Sequence, residues 1–534
     1  MPPCRPNILL IVTDQQRANH LGCAAHPLLQ TPYIDSLAAA GVRATRFHAA
    51  STTCMSNRAT LMTGRMPSLH GVIHNGINLS RDHVTFVDLF KAAGYETSLI
   101  GKSHFQAFGY DSPQRRQWTN TNGGTPPPEE LIDASRTHRA EAGLYDNEWT
   151  PDWLQGRRHS VGLPYYGFDH VELATLHGDQ VQGDYANWLN ARHPGANALR
   201  GRENALPDSR YNAPQAWRTG LPENLYPSYW VGERACHWLD QYVERSGSRP
   251  FLLKLSFPDP HHPFTPPGRF WDLYNPQKIE LPSSFLSPGN SVFVSDVKRY
   301  TREGGSRDGY GAFNVSPREC QEILALTFGM ISFVDQQVGR VLNHLKHLGL
   351  EQNTVIVFTS DHGDMMGDHG MVLKGAMHFD GLTRVPFIWR DPQSSVLGSL
   401  MEYPASTLDI AQTLLDRCGL APFNGMQGLS LLPWLTHPTN RGPERPGVFV
   451  ESEPVILPHG RTIRYRLRSL ISSEWRITIS NVAELCELYD LQSDPLEQHN
   501  VWNENTEMRA NMCLQMLIAS ADQADRSPLP AAVA

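Results

Sequence analysis

Acidic, basic and imidazole side chains follow four separate apolar runs of the sequence, at the point where each run ends. The runs begin at residues 7, 97, 251 and 354, and the residues that follow them are Asp14, then Lys102 and His104, then His261, then Asp361 and His362. Apolar runs of this kind are typical of strands buried in a parallel sheet, whose carboxyl ends meet at one edge where ligands bind. A single such residue is ordinarily a turn or a helix cap, but four occurrences favour a shared site.

Carboxylates together with an imidazole suit a divalent cation that takes mostly oxygen ligands. The pairs Asp14–Gln15 and Asp361–His362 supply such groups, and Cys54 is a further candidate ligand. Residues 361–369 (DHGDMMGDH) form the richest ligand cluster, and their glycines allow the backbone to turn sharply. The alternative is an acidic turn that caps the next helix, and the other strand ends favour the metal site over it.

A second focus is the stretch from residue 53 to residue 65 (TCMSNRATLMTGR). Cys54 is predicted to open a helix, where the positive end of the helix dipole favours a thiolate or another anion. Arg58 lies one helical turn later on the same face and can reach the group at position 54. Taken by itself, a cysteine followed by arginine at this spacing is usually structural.

The composition describes a globular chain and excludes several classes of protein. Hydrophobic residues make up 40% and charged residues 19% of the 534 residues, which excludes extensive disorder. The net charge of −8 argues against nucleic acid as the partner. No apolar run approaches the roughly 18–20 residues of a membrane span. The N-terminus lacks the pattern of a signal peptide and the cysteines are scattered, so we expect a soluble, cytoplasmic protein.

The elements that must position these residues alternate between strand and helix, which predicts an α/β fold with a doubly wound, mostly parallel sheet flanked by helices. Helices are expected over 31–41 and 322–348. Two stretches, near 106–230 and 284–318, break the alternation and are interpreted as ordered excursions that wall the crevice or serve as surface decoration. We predict a catalytic domain over 1–439 and a smaller α+β subdomain over 440–534, which should be structural support.

In order and content, these motifs resemble the type I sulfatases of the alkaline phosphatase superfamily. That family's signature is Cys-x-Pro-Ser-Arg, sometimes with Ala for Pro, followed by a stretch that ends in Thr-Gly-Arg. The resemblance covers nearly the whole chain, and it is carried by Asp14, 54–65, 101–104, 261–263, 361–363, Lys374, 488–497 and Asn500. It implies an alkaline-phosphatase-like fold and an enzyme.

The resemblance also implies roles for individual residues. Cys54 would be oxidised to formylglycine by dedicated modification machinery, and its hydrate, activated by one divalent metal and Arg58, would attack sulfur to give a covalent hemiacetal sulfate. Lys102 and Lys374 would hold the sulfate oxygens, and His261, with Lys374, would protonate the leaving oxygen. His104 would take the proton that releases sulfate. Asn75 is either a further substrate donor or an ordinary turn residue. The implied metal ligands are Asp14, Gln15, Cys54, Asp361 and His362.

This sequence departs from the family pattern at four positions. Ser56 and Asn57 stand where the family has Pro or Ala and then Ser, in the core that the modifying machinery reads. Gln15 replaces a common second Asp and His362 replaces an Asn, which should shift the preferred metal from Ca²⁺ toward Mn²⁺. Bacterial phosphonate monoester hydrolases and choline-sulfatase-like enzymes are similar in these two pairs.

Hydrolysis of a sulfate monoester, expected to be an aryl sulfate, is the leading interpretation. The alternative is a phosphonate monoester or phosphodiester hydrolase that uses the same site, but that group typically has Tyr and Thr where Lys102 and His104 stand here. A more remote alternative is a non-catalytic binding protein on a sulfatase fold. Aromatic residues of the first excursion are either an aryl pocket or core; they are Trp118, Trp149, Trp153, Tyr165 and Tyr166. By analogy with the family we expect a homo-oligomer that acts on a small molecule.

Overall fold

The computed structural model describes residues 5–109, 144–245, 247–437, 445–454 and 465–525. Residues 110–143 of the excursion near 106–230, among them Trp118, and the predicted boundary between 439 and 440 lie outside these ranges. No helix within the described residues is long and apolar enough to cross a membrane.

A nine-stranded mixed sheet forms the centre of the described structure. The strands in chain order are β1 (Asn7–Thr13), β2 (Val42–Ala44), β3 (Phe47–His48), β4 (Glu96–Lys102), β5 (His170–Thr175), β6 (Gln182–Gly183), β7 (Phe251–Ser256), β8 (Phe313–Asn314), β9 (Thr354–Ser360), β10 (Met371–Val372), β11 (Phe387–Arg390), β12 (Ser399–Met401), β13 (Ala405–Ser406), β14 (Val448–Ser452), β15 (Leu467–Ile471), β16 (Trp475–Ser480) and β17 (Glu487–Asp490). The order in the large sheet is β12-β2-β11-β9-β1-β7-β4-β5-β6. Its central strands β9, β1, β7, β4 and β5 are parallel, as the sequence predicts.

Helices cover both faces of this sheet. In chain order they are α1 (Pro32–Ala39), α2 (Cys54–Thr63), α3 (Pro67–His70), α4 (Phe86–Ala92), α5 (Thr150–Leu154), α6 (Asp184–Arg192), α7 (Pro227–Glu244), α8 (Val292–Arg302), α9 (Pro317–His347), α10 (Asp380–Thr383), α11 (Leu408–Arg417), α12 (Leu432–Thr436) and α13 (Thr506–Asp522). Because β1 is buried on both faces, its alternate side chains enter two separate hydrophobic clusters. The predicted α/β fold with a doubly wound, mostly parallel sheet is confirmed.

The register of the central strands brings their carboxyl ends together. Val12 of β1 is paired with Ser256 of β7 on one side and with Thr359 of β9 on the other. Beyond the strands the backbone contacts continue, since the Asp14 amide donates to the Asp259 carbonyl (3.1 Å). The chain leaving each strand therefore delivers its polar residues to one edge.

The excursion near 106–230 contributes more to the sheet than the sequence indicates, because β5 and β6 lie within it and extend the sheet beyond β4. The last part of the chain forms the expected α+β unit. Strands β14 to β17 make a four-stranded antiparallel sheet, and α13 packs against it through Met512 and Met516.

Candidate active site

Cys54 is the first residue of α2, and its side chain is buried among cationic groups. Thr53 precedes the helix in extended conformation, and the helix ends at Gly64, whose φ of 63° is in the left-handed region. The Cys54 Sγ atom lies 3.0 Å from both Lys374 Nζ and His362 Nε2. Burial alone would raise the pKa of the Cys54 thiol, but Lys374 and His362 outweigh it and lower this pKa to about 7.

Arg58, one turn along α2, is a buried link between the strand ends. Its Nε donates to Asp361 Oδ2 (2.7 Å) and its Nη2 to Asp14 Oδ2 (3.3 Å). Nη1 donates to the Lys102 carbonyl and to Ser256 Oγ, at 3.1 and 2.9 Å. Charge-assisted bonds of this kind fix both carboxylates next to Cys54.

Four of the five predicted metal ligands form one buried cluster. Asp14, Cys54, Asp361 and His362 each offer a ligand atom, and these atoms all lie within 4.8 Å of one another. The His362 Nδ1 atom lies 2.8 Å from the Gly363 carbonyl, which leaves Nε2 facing the carboxylates at 3.7 Å. Within the described part of the chain, Asp14 Oδ1 is buried without a hydrogen-bond partner. Two carboxylates, one of them with this unpartnered oxygen, and an imidazole fit a divalent cation.

Gln15, the fifth predicted ligand, lies beside the cluster with both ends of its amide engaged. Oε1 accepts from Lys374 Nζ (2.8 Å), and Nε2 donates to Asp364 Oδ2 (2.5 Å) and lies 3.3 Å from His262 Nδ1. The Gln15 oxygen that a cation would use therefore faces a lysine in this structure.

Two lysines, Lys102 and Lys374, and the imidazole of His261 also lie in this buried site. Lys102 Nζ contacts Asp14 Oδ2, and with Arg58 it lowers the pKa of Asp14 despite the opposing effect of burial. Lys374 Nζ lies 2.7 Å from His261 Nε2, while His261 Nδ1 faces the His262 carbonyl at 2.5 Å. A carbonyl can only accept, so Nδ1 carries the hydrogen and Nε2 accepts from Lys374. Burial and the neighbouring His177 hold the pKa of His261 well below its usual range.

His104 and Asn75 lie at the border of this arrangement. The backbone of His104 is left-handed (φ 57°), and its ring stacks on Phe108 with centroids 3.9 Å apart. Asn75 Oδ1 accepts from the Met55 amide (3.1 Å) in the first turn of α2, which leaves its Nδ2 as the donor for a ligand. The structure thus brings together the predicted residues at 14, 15, 54, 58, 102, 261, 361, 362 and 374, with 75 and 104 beside them.

His177 is a buried residue of this site that the sequence analysis did not select. Its Nε2 lies 2.6 Å from Lys102 Nζ, and its ring stacks on His261 with centroids 3.5 Å apart and planes at 10°. It follows the end of β5, so the same strand-end signal was present. That strand was missed because its first residues are only half-buried and lie in the irregular 106–230 stretch.

Two aromatic rings, those of Phe108 and Tyr310, lie near His177 and His261. Phe108 lies 6.3 Å from the His177 ring, centroid to centroid, and Tyr310 lies 6.0 Å from both His177 and His261. Tyr310 is 49% exposed and belongs to the second predicted excursion, near 284–318. That excursion also contacts the segment that carries Lys374, because the Ala312 amide donates to the Lys374 carbonyl (2.7 Å). Both observations agree with its interpretation as a wall of the crevice.

Comparisons with known proteins agree with this arrangement. The family model "Sulfatase" matches residues 6–160 and 218–420, and the model "N-sulphoglucosamine sulphohydrolase, C-terminal" matches residues 367–523. An arylsulfatase of Clostridium perfringens is 28% identical over 80% of this chain and 78% of its own length. A choline-sulfatase of Rhizobium meliloti is 24% identical over 93% and 82%.

A solved structure of the phosphonate monoester hydrolase of Agrobacterium radiobacter superposes with a TM-score of 0.75. It is 25% identical and the match covers 98% of this chain and 97% of that one. Since the sulfatase model alone spans well over half of the sequence, the chain belongs to the sulfatase family and is a sulfuric ester hydrolase.

Proposed function

We propose that this enzyme hydrolyses sulfate monoesters of aryl alcohols with a nucleophile made from Cys54. The observation that carries the proposal is the position of Cys54, whose Sγ lies within 3.0 Å of Lys374 Nζ at the opening of a buried helix. The side chain there lies beside the Lys374 amino group and within 4.8 Å of ligand atoms of Asp14 and Asp361, and Lys102 in turn contacts Asp14. Such a site suits a nucleophile that attacks an anionic ester.

The activated nucleophile requires two additions to the chain. A separate modifying enzyme would oxidise the Cys54 thiol to the aldehyde of formylglycine, whose hydrate carries two hydroxyl groups. A divalent metal, Mn²⁺ or Ca²⁺, held by Asp14, Asp361, His362 and residue 54 with Gln15 nearby, would lower the pKa of one of these hydroxyls. The buried Asp14 oxygen without a partner supports the metal site.

The side chains of the site would then act in two steps. As the oxygen of residue 54 bonds to sulfur, Lys102 and Lys374 hold the sulfate oxygens and the bond to the leaving oxygen breaks. The electron pair of that bond goes to the leaving oxygen, and the Lys374–His261 pair supplies its proton. His104 next takes the proton of the second hydroxyl of residue 54, so that the hemiacetal sulfate releases sulfate and the aldehyde forms again.

The aromatic rings of Phe108 and Tyr310 support an aryl alcohol as the leaving group. Phe108 lies near His177, and Tyr310 lies near both His177 and His261, the imidazole that pairs with Lys374 to supply the proton of the leaving oxygen. Aromatic rings at offset distances stabilise a bound aryl ring by about 0.5–1.5 kcal/mol each. An alkyl alcohol lacks this stacking energy.

Hydrolysis of phosphonate monoesters or phosphodiesters is the second candidate. The TM-score of 0.75 to a phosphonate monoester hydrolase favours it, as does the resemblance of the Asp14–Gln15 and Asp361–His362 pairs to that group. Lys102 and His104 favour the sulfate ester, because the phosphonate enzymes typically carry Tyr and Thr at these positions.

Two measurements test the proposal. Peptide mass spectrometry on protein from a host with the modifying machinery should find an aldehyde at residue 54, and an unmodified cysteine in such a host contradicts the nucleophile. The kcat/KM values of matched nitrophenyl sulfate and phosphonate esters should favour the sulfate. A phosphonate preference above about tenfold, or roughly 1.4 kcal/mol of transition-state binding, would select the second candidate.

A further inference from the structure

A buried carboxylate, that of Glu148, binds the turn that carries His104. Its Oε2 accepts the His104 amide (2.7 Å), and its Oε1 accepts the amides of Phe105 (2.7 Å) and Gln106 (2.8 Å). The Tyr165 hydroxyl donates to Oε1 as well (2.5 Å). The side chain is fully buried, and these four contacts all come from donors, which a carboxylate can accept without carrying a hydrogen of its own. Burial raises the pKa of Glu148, and the hydrogen bonds from Tyr165, Gln106 and Phe105 oppose that shift.

The conformation that this carboxylate stabilises is an unusual one. His104 adopts a φ of 57°, in the left-handed region, which is unfavourable for a non-glycine residue. The amides of residues 104 to 106 follow the end of β4 and lie outside any helix or strand, so no backbone ladder supplies their acceptors and they need an acceptor from elsewhere in the chain. Glu148 provides it and thereby determines the backbone direction at His104.

The result is an imidazole with one nitrogen free for a ligand. The His104 ring lies flat on Phe108, with planes at 8°, and its Nδ1 is buried without a hydrogen-bond partner among the described residues. Burial, followed by the charge of Lys102, holds the pKa of His104 well below its usual range. A neutral imidazole with a free nitrogen can accept a proton from a bound group.

We propose that Glu148 is a positioning residue for His104 in the step that releases sulfate, an inference that rests on the proposed function. In that step His104 removes the proton of the free hydroxyl on residue 54. The electron pair of the O–H bond forms the C=O bond, and the bond from carbon to the sulfate oxygen breaks with its pair leaving on sulfate. The hydrogen bonds of Glu148 within the described residues go to the backbone of the turn and to Tyr165, so it acts on His104 through that backbone.

The variant Glu148→Gln isolates this role. A glutamine retains one acceptor oxygen, which the three donors at the Oε1 position would hold, and presents an NH₂ group to the His104 amide. It thus deletes the contact to His104 in particular. The matched control Tyr165→Phe removes one donor from Oε1 and leaves the His104 contact in place.

The experiment compares the first turnover with later ones for metal-loaded, fully modified enzyme and nitrophenyl sulfate. In Glu148→Gln we expect steady-state turnover to fall about 10- to 100-fold while first-turnover release of nitrophenol changes by less than about threefold. Acid quenching followed by mass spectrometry should show sulfated residue 54 accumulating. Tyr165→Phe should leave the ratio of the two rates unchanged.

Other results overturn the proposal. Equal losses in both rates would show a general structural effect, and unchanged rates would show no role. In the His104→Ala background, Glu148→Gln should cause no additional loss, and a further loss there would contradict action through His104. Glu148→Asp, which keeps the charge on a shorter side chain, replaces the variant if Glu148→Gln does not fold. Absence of turnover in the unsubstituted, modified enzyme would instead refute the proposed function itself.

Discussion

The substitution His261→Ala should reduce activity by an amount that depends on the leaving group. His261 Nε2 lies 2.7 Å from Lys374 Nζ in a buried site, and we propose this pair as the proton source for the leaving oxygen. General acid catalysis contributes about 10²- to 10⁴-fold when the leaving group is a poor one. A nitrophenolate leaves without a proton, so it gains little from the pair.

The structure gives the expected size of the difference. The kcat/KM for phenyl sulfate should fall about 10³-fold. For nitrophenyl sulfate it should fall only about tenfold, because Lys374 loses its imidazole partner but keeps its contacts to Gln15 and residue 54. The ratio of about 100 corresponds to roughly 2.7 kcal/mol of differential transition-state stabilisation. The assay is kcat/KM for both esters with both proteins at matched metal content.

The adjacent imidazole offers the control. His262 Nδ1 lies 3.3 Å from Gln15 Nε2 and is not part of the proposed proton source, so His262→Ala should reduce activity by the same factor with both esters. If His261→Ala also shows equal factors for the two esters, then the Lys374–His261 pair does not protonate the leaving group, and the assignment of the general acid is wrong.

Two further predictions concern the metal and the pH dependence of stability. Asp361→Asn removes a carboxylate from the ligand cluster and from Arg58, so bound metal and activity should fall together; full metal occupancy by elemental analysis would contradict its role as a ligand. Burial raises the pKa of Asp335 to about 7, above its unfolded value of 3.8. Between these two pH values the folded chain keeps a proton on Asp335 that the unfolded chain has lost. The free energy of unfolding therefore falls as the pH rises from about 4 to 7. Asp335→Asn keeps Oδ1 as acceptor for the Tyr33 and Ile34 amides. Denaturant unfolding between pH 5 and 8 should show a smaller decrease in the free energy of unfolding than in the parent protein. An equal decrease would assign the pH dependence of stability to other groups.

The sequence could predict that the site residues lie together, because the strands that precede them are unambiguous. The runs that become β1, β7 and β9 are fully buried and apolar, so their type, their parallel pairing and the location of their carboxyl ends follow from burial alone. The long helix α9 was likewise expected from its periodicity, although it begins at Pro317 and not at 322.

The contacts that hold the site together could not be predicted in the same way. Asn57, a departure from the family pattern, donates to the Asp361 carbonyl and accepts from Thr407 Oγ1 (2.7 Å) and the Ala50 amide (2.9 Å). These partners are up to 350 residues away in the chain. No local pattern encodes such a pairing, because each partner is an ordinary polar residue or a backbone group whose position depends on the complete fold.

The departure at Gln15 has a similar explanation. Its Nε2 donates to Asp364, a buried carboxylate that also accepts the amides of Met366 and Leu373 at 2.8 Å. An aspartate at position 15 would place a second negative charge beside this carboxylate in a buried site, which is unfavourable. The amide avoids that repulsion, and its other end accepts from Lys374. The contacts to Asp364 and Lys374 therefore favour a neutral side chain at position 15. Among the described residues, the carboxylates of the candidate metal cluster are those of Asp14 and Asp361. A cation that accepts an imidazole alongside two carboxylates fits such a set better than one that requires oxygen ligands throughout, which favours Mn²⁺ over Ca²⁺.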